Sequence, residues 1–257
     1  MSRMSVEVKD YIAVVDMHSE PLNIFTEELF NDYCEILADL NARDDVRVVL
    51  IKSSLKLFSG GADLRLIESL ATAEGDAAKE ATVKPVTDCI CGVYNCRYPV
   101  VCAVNGKAIG AGACVAACSD ICIASEDASF SVREIMAGSI GASEFFQLNV
   151  PKRLARYYIF TGKSISAKEL RSYGGLLDVV PTEQLEERAM EICRELVNMP
   201  PKALQYFKAA LNHNDDEKLY EKYMHEYLYT LRYMETEDFR EGINAFFEKR
   251  KPVFKGR

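Results

Sequence analysis

The sequence predicts a mixed α/β core over residues 1–199, followed by a helical region over residues 200–257. Three features predict it. Apolar runs of strand length alternate with helix-length segments in the N-terminal part of the chain. From about Ser143 helical patterns dominate, broken by the short strand-like "LLDVV". The pair Pro200-Pro201 then interrupts the pattern and marks the boundary.

Each element has a local reason. "VEVKDYIAVVDMH" alternates like two short strands with a turn at Lys9-Asp10. In "FTEELFNDYCEILADLNARDD", Thr26 is the N-cap of a helix whose first-turn acids suit the positive helix end. "VRVVLIKSS" is a buried strand, and "LFSGGADLRLIESL" is a glycine turn running into a helix. Beyond a variable segment near Gly75, a helix covers roughly Val83 to Cys96. "PVVCAVNG" is a strand, "AIGAGACVAACS" a loop opening a tightly packed helix, and "DICIASEDASFSV" a strand pair. The tail holds the helical stretches "EQLEERAMEICRELVNM", "PKALQYFKAALN", "DEKLYEKYMHEYLYTLRYM" and "TEDFREGINAFFEKR". The Tyr and Met residues of the third read as a packing stripe or a subunit contact. No internal repeat or low-complexity tract is visible.

Composition excludes several classes. Hydrophobic residues make up 49%, enough for a sizeable core. The net charge of -8 argues against a nucleic-acid partner, which calls for a basic surplus. Nine scattered cysteines in a long chain indicate a reducing compartment rather than a disulfide scaffold. No run approaches the roughly 20 apolar residues of a membrane span, and the N-terminus shows no signal core. The chain is therefore read as soluble and cytoplasmic. Cys114, Cys118 and Cys122 match no standard zinc spacing, so no metal is expected, and the strand-like "ICIAS" ends any helix before Cys122. His18, His213 and His225 are isolated and form no triad.

The chemistry lies in two glycine-rich turns, "FSGGADLR" and "KAIGAGAC", each following an apolar strand and opening a helix. Helix starts carry unpaired N–H groups and a positive dipole end. Two such N–H groups aimed at one point make an oxyanion hole. The same small residues also serve close packing, and neither turn alone decides between these readings. The turns lack the Gly-Lys-Ser/Thr ending of a P-loop and the spacing of a dinucleotide fingerprint.

The stretches "PLNIFTEEL", "FSGGADLR", "NGKAIGAGACVAACSD", "ASFSVREIMAGSIG", "FTGKSISAKEL" and "EGINAFFEKRKPVFKG" run in order over nearly the whole chain. In these the sequence resembles the crotonase family of enoyl-CoA hydratases and isomerases. The resemblance implies a crotonase-like (Clp protease/crotonase) fold: a spiral of β-β-α repeats with a C-terminal helical trimerisation region. It implies acyl-CoA thioester substrates, with coenzyme A present only as part of the substrate and no further cofactor. It implies assembly as a homotrimer or a hexamer built from two trimers. The enolate oxygen would be held by the backbone N–H groups of Ala62 and Ala111.

The resemblance also exposes a departure. Hydratases of the family carry two glutamates. The position of the first is Cys114 here, and the second is supplied by Glu134 in "FSVRE". A thiol is a weak hydrogen-bonding group and mostly neutral near pH 7. One base suffices to move a double bond, because the enolate stores the charge between proton removal and return. Single-base isomerisation of an enoyl-CoA with Glu134 as base is thus the favoured reaction. The "GSIGASEFF" loop is shorter than the family pattern and carries Glu144 at a helix start, either a second acid for hydration or a first-turn acid serving the dipole. Acyl-CoA decarboxylation, C–C bond hydrolysis and a catalytically silent acyl-CoA-binding subunit are the alternatives. For coenzyme A, the resemblance assigns Leu22, Gly60 and Leu64 to the adenine and pantetheine pocket. It places Phe246 and Lys249 near the adenine of a neighbouring subunit's ligand. Lys56 and Arg65 flank the first turn, Asp63, Gly110 and Cys114 complete the binding surface, and the basic tail adds Arg250, Lys251, Lys255 and Arg257.

Overall fold

The computed structural model describes residues 3–72, 76–216 and 219–255. The segment around Gly75 and the terminal Arg257 lie outside the described residues. The chain opens with a hairpin of β1 (Met4–Lys9) and β2 (Ile12–Met17). Its turn falls at Asp10-Tyr11, one residue later than the sequence suggests, with left-handed φ of 50° and 65°. Both turn residues must be left-handed to match the strand twist. Tyr11 is held there by the Arg47 guanidinium, 4.0 Å above its ring, and by Arg47 N–H, which donates to its carbonyl.

Next come β3 (Ile24–Phe25), α1 (Glu27–Ala42), β4 (Val48–Ser53), β5 (Gly61–Ala62), α2 (Leu64–Thr72) and α3 (Asp76–Tyr94). Leu29 N–H donates to Thr26 Oγ1, so the expected cap is in place. Helix α3 starts before Val83 and carries Pro85. Then follow β6 (Val100–Val104), β7 (Lys107–Ile109), α4 (Ala111–Ala117), β8 (Ile121–Ser125) and β9 (Ser129–Ser131). A 3-10 turn (Glu134–Ala137) leads to α5 (Ser143–Phe146), α6 (Lys152–Thr161), β10 (Ile165–Ser166), α7 (Ala167–Ser172) and β11 (Asp178–Val180). The chain ends in α8 (Leu185–Val197), α9 (Pro201–Asp216), α10 (Leu219–Met234) and α11 (Glu237–Phe247).

Among the described residues the main sheet has the order β1-β2-β4-β6-β8-β11, parallel except for the antiparallel β1 edge. Shorter strands pair as β3-β5 and as β10-β9-β7, and a parallel bridge between Ser59 and Ala108 joins the two groups. The chain therefore alternates: β2, β4, β6 and β8 enter the large sheet, and their successors β3, β5, β7 and β9 form a second row. This is a β-β-α repeat that the residues do not betray by self-similarity. It also corrects the reading of "DICIASEDASFSV", whose two strands lie in different sheets rather than pairing with each other.

Strand β4 shows why the sheet is double-faced. Val49 and Ile51 pack into the main core with Leu29, Phe30, Leu37 and Val93. Val48 and Leu50 face the opposite side, against Leu185, Ala189, Ile192 and Cys193 of α8. Burial on both faces accounts for a continuous apolar run in place of alternation. Each such side chain contributes about 1.5–3 kcal/mol by leaving water. The helices after Pro200 are fastened to this core. Buried Lys208 of α9 donates to Asp120 Oδ2 (2.7 Å) and to the carbonyls of Tyr98 (3.1 Å) and Val93 (3.4 Å).

Candidate active site

The site begins at the first glycine turn. Asn23 is fully buried with a left-handed φ of 47°. Its Nδ2 donates to Ser53 Oγ (2.8 Å) and to the Phe58 carbonyl (3.0 Å), while Oδ1 accepts from Ser19 N–H (2.7 Å). Ser59 Oγ donates to the Asn23 carbonyl and accepts from Gly61 N–H (3.0 Å). Asp63 N–H donates to the Phe25 carbonyl (3.0 Å). The amides on either side of Ala62 are thus committed to holding the turn.

The second turn meets the first. A methyl group on Gly61 would lie 3.0 Å from the Ile109 carbonyl, and one on Gly112 would lie 2.5 Å from Ser59 Cβ. The backbones approach this closely because no side chain intervenes. Gly110 caps α4 with a φ of 51°, and its N–H donates to the Ser131 carbonyl (2.8 Å). Ala111 follows as the first helical residue, where amides have no intrahelical acceptor. Helix α4 is apolar all round because it is buried on every side. The inert run "AGACVAA" is a packing solution that sets the start of α4, at Gly110, beside Gly61.

The bond from Gly110 to Ser131 brings the end of β9, and with it the 3-10 turn, onto this junction. A methyl group on Gly110 would lie 2.7 Å from Glu134 Oε1 and 3.8 Å from Gly61 Cα. Glu134 Oε2 is buried and has no hydrogen-bond partner. Desolvation pushes the Glu134 carboxyl up to about 7. The negative Glu226 adds to this, against opposing hydrogen bonds from the backbone of Glu134 and Arg133. Arg133 itself turns outward, its Nη2 against Met136 Sδ at 3.5 Å.

Cys114 forms part of the wall. It is fully buried, with Sγ 3.9 Å from the Ala142 carbonyl. Burial first, then the charge of Glu134, holds its thiol well above the usual range, so it stays protonated and does no acid–base work near neutral pH. Cys118 is the residue capping α4, and Cys122 pairs with Cys102 across β6 and β8, so the three thiols share no helix face. Glu144 occupies the first turn of α5, as the sequence suggests, with Oε1 3.5 Å from Gln147 Nε2.

One carboxylate was not singled out in the sequence. Glu226 of α10 accepts from Ser143 N–H at Oε1 (3.0 Å) and from Glu144 N–H at Oε2 (3.4 Å). One turn earlier, Tyr223 packs on Phe145 with ring centroids 4.8 Å apart. Tyr223, Glu226, Tyr227 and Thr230 follow i, i+3, i+4, i+7 spacing, and an acid within that inward stripe was the available signal.

The residues assigned to coenzyme A are scattered around this centre. Leu22 is 42% exposed and its carbonyl accepts from Gly60 N–H. Lys56 is exposed and Leu64 half-buried. Arg65 grips Asp63 with two nitrogens, Nε at 3.0 Å and Nη2 at 2.6 Å from Oδ2. Arg250 is likewise paired with Glu241 and Glu248. Part of the positive charge expected for an anionic ligand is therefore neutralised within the chain. Phe246 is 54% exposed, and Lys249 is left-handed and exposed at the end of α11. A cavity of about 250 Å³ lies beside α11, lined by Glu237, Asp238 and Glu241 together with Arg240 and Lys255, and not by Glu134.

Two glycine turns in contact, with a desolvated carboxylate over their junction, define a site for stabilising an oxyanion next to a base. Comparison with known proteins gives that class its family. Residues 7–257 match the enoyl-CoA hydratase/isomerase family, and the chain belongs to it. The 2,3-dehydroadipyl-CoA hydratase of Escherichia coli is 34% identical over 217 residues, covering 82% of each protein. The (7aS)-7a-methyl-1,5-dioxo-2,3,5,6,7,7a-hexahydro-1H-indene-carboxyl-CoA hydrolase of Mycobacterium tuberculosis is 29% identical over 219 residues, 85% of this chain and 87% of the relative. An enoyl-CoA hydratase/isomerase structure from Pseudoalteromonas atlantica superposes with a TM-score of 0.87 at 23% identity, covering 99% of this chain and 100% of the other. The fold is crotonase-like, as the motifs suggest, and the protein is an acyl-CoA-processing enzyme of that superfamily. Among the described residues no helix is long and apolar enough to cross a membrane.

Proposed function

We propose that the protein forms a thioester enolate from an enoyl-CoA with Glu134 as the single base, and that its reaction is double-bond isomerisation. The observation that carries this is the buried, unpartnered Glu134 Oε2 beside Gly110 at the junction of the two turns. A carboxyl poised near 7 both takes and returns a proton at neutral pH. Glu134 removes a proton from the α-carbon of a 3-enoyl thioester. The negative charge moves to the thioester oxygen, held by the Ala62 and Ala111 N–H groups. The proton returns to the γ-carbon as the double bond moves to the 2,3 position. The neutral Cys114 thiol gives no second acid–base group, which favours this chemistry over hydration.

Hydration with Glu144 as second acid is the other reading, favoured by the position of Glu144 in the loop beside Cys114 and by the hydratase name of the E. coli relative. The hydrolase name of the M. tuberculosis relative keeps C–C bond hydrolysis in the comparison. Coenzyme A would lie along Leu22, Lys56, Gly60, Leu64 and Arg65, with Phe246 and Lys249 supplied by a neighbouring subunit of a trimer or hexamer. No further cofactor is required, and the region 200–257 would serve assembly and coenzyme A contact. The test is turnover of crotonyl-CoA against a 3-enoyl-CoA. Conversion of the 3-enoyl thioester without water addition supports isomerisation. Faster hydration of crotonyl-CoA refutes it.

A further inference from the structure

We propose that Glu226 is a positioning residue of the active site: it fastens the loop that precedes α5 to helix α10 and sets a fixed negative charge on the Cys114 side of Glu134. The inference rests on Glu134 being the base.

Three contacts from one face of α10 hold the loop. Thr230 Oγ1 donates to the Ile140 carbonyl (3.4 Å), Glu226 takes the amides of Ser143 and Glu144, and Tyr223 packs on Phe145. The loop needs a clamp because its backbone is unfavourable. Ala142 carries a φ of 68°, left-handed for a residue with a side chain, and provides no side-chain cap for α5. Glu226 caps those amides from another element. The Ala142 carbonyl in turn contacts Cys114 Sγ, and Cys114 lies in the helix that Gly110 opens against Glu134. The Glu226 carboxylate, the Cys114 wall and the Glu134 carboxylate are thus linked through one continuous set of contacts.

Burial pushes the Glu226 carboxyl up, but both of its oxygens accept a backbone N–H, and these bonds favour the ionised form and hold it in place. Glu226 is half-buried, and a partly desolvated charge is felt by its neighbours over a longer range than in water. The groups around Glu134 are Glu226 and Tyr223 on α10, Cys114 on α4, Glu144 on α5 and the outward Arg133 on its own turn. Helices α6 and α11 meet the turn through Met136 against Gly162 and Gly138 against Gly242. They carry Arg153, Arg156, Asp238 and Glu241. Of these groups, Glu226 is the one whose charge acts on Glu134, opposing its ionisation.

The experiment follows the side-chain carboxyl carbons by NMR in protein labelled at glutamate, with Glu134 assigned by its loss in Glu134→Gln. No substrate is needed, so the outcome is independent of which acyl-CoA is turned over. In Glu226→Gln the Glu134 midpoint falls by at least about half a pH unit, because a repelling anion is gone. Glu226→Asp, which retains the charge with a shorter reach, leaves the Glu134 midpoint within about 0.3 of wild type. Glu226 is already ionised when Glu134 titrates, so the coupling is read at Glu134, and Glu226→Ala gives the same fall if Glu226→Gln does not fold. An unmoved Glu134 midpoint in Glu226→Gln, or in Glu226→Ala, overturns the proposal. Loss of turnover in Glu134→Gln is a separate matter and tests the base itself.

Discussion

Replacing Glu134 by Gln should leave opposite marks on activity and stability. The swap is nearly isosteric and removes only the ionisation. Loss of the general base lowers turnover of the 3-enoyl thioester by about 10²–10⁴-fold. The stability effect follows from the carboxyl's rise from 4.5 to about 7 in the folded chain. Between those values the folded protein holds a proton that the unfolded chain has released. Wild-type stability therefore falls as pH rises from 4.5 to 7, and the loss is complete above 7. At about 1.4 kcal/mol per pH unit the whole rise is worth roughly 3 kcal/mol. Glu134→Gln lacks this loss. Its stability relative to wild type should grow by about 2–3 kcal/mol between pH 4.5 and 8, whatever constant cost the amide adds. Urea unfolding of both proteins across that range measures it. The acid limb of wild-type kcat/KM should fall near pH 7, since the base must be ionised to act. A stability difference independent of pH, or an acid limb near 4.5, would refute the burial argument for Glu134.

Further substitutions probe the scaffold. Gly110→Ala drives a methyl into Glu134 Oε1 at a φ of 51°; it should cost about 1–3 kcal/mol in backbone strain and displace the base, so thermal melting and kcat fall together. Gly242→Ala places a methyl 2.4 Å from Gly138 Cα; it should lower the Tm and cut kcat, although Gly242 lies on α11, and unchanged kcat would show that the Glu134 turn tolerates movement of that helix. Lys208→Met removes the buried partner of Asp120; a loss of about 3–5 kcal/mol is expected in denaturant unfolding.

How much was legible depended on the range of the interaction. Thr26 could be recognised as a cap because capping is decided within one helical turn. The strands and glycine turns were legible for the same reason, since apolar period and the need for absent side chains are written locally. The match of "FSVRE" to a family motif placed Glu134, and "GASEFF" placed Glu144 at a helix start. The Asp10-Tyr11 turn was misplaced by one residue because Arg47, 36 positions on in chain order, holds Tyr11.

The sequence by itself determined the α/β alternation, the two backbone turns and the identity of one carboxylate with a missing companion. Tertiary structure decided what those parts do together. It separated β8 and β9 into different rows, because β8 pairs with β6 and β9 with β7, their counterparts in the preceding repeat, rather than with each other. It paired Arg65 and Arg250 with nearby acids, so a basic residue count overstated the free positive charge. It brought Glu226 from a distant helix to the amides of Ser143 and Glu144, a contact across more than 80 positions for which no local pattern exists. Ionisation belongs to the same category. Glu134 is an ordinary acid in the chain, and its carboxyl is poised near neutral pH only because the fold strips away its water and sets the charge of Glu226 nearby.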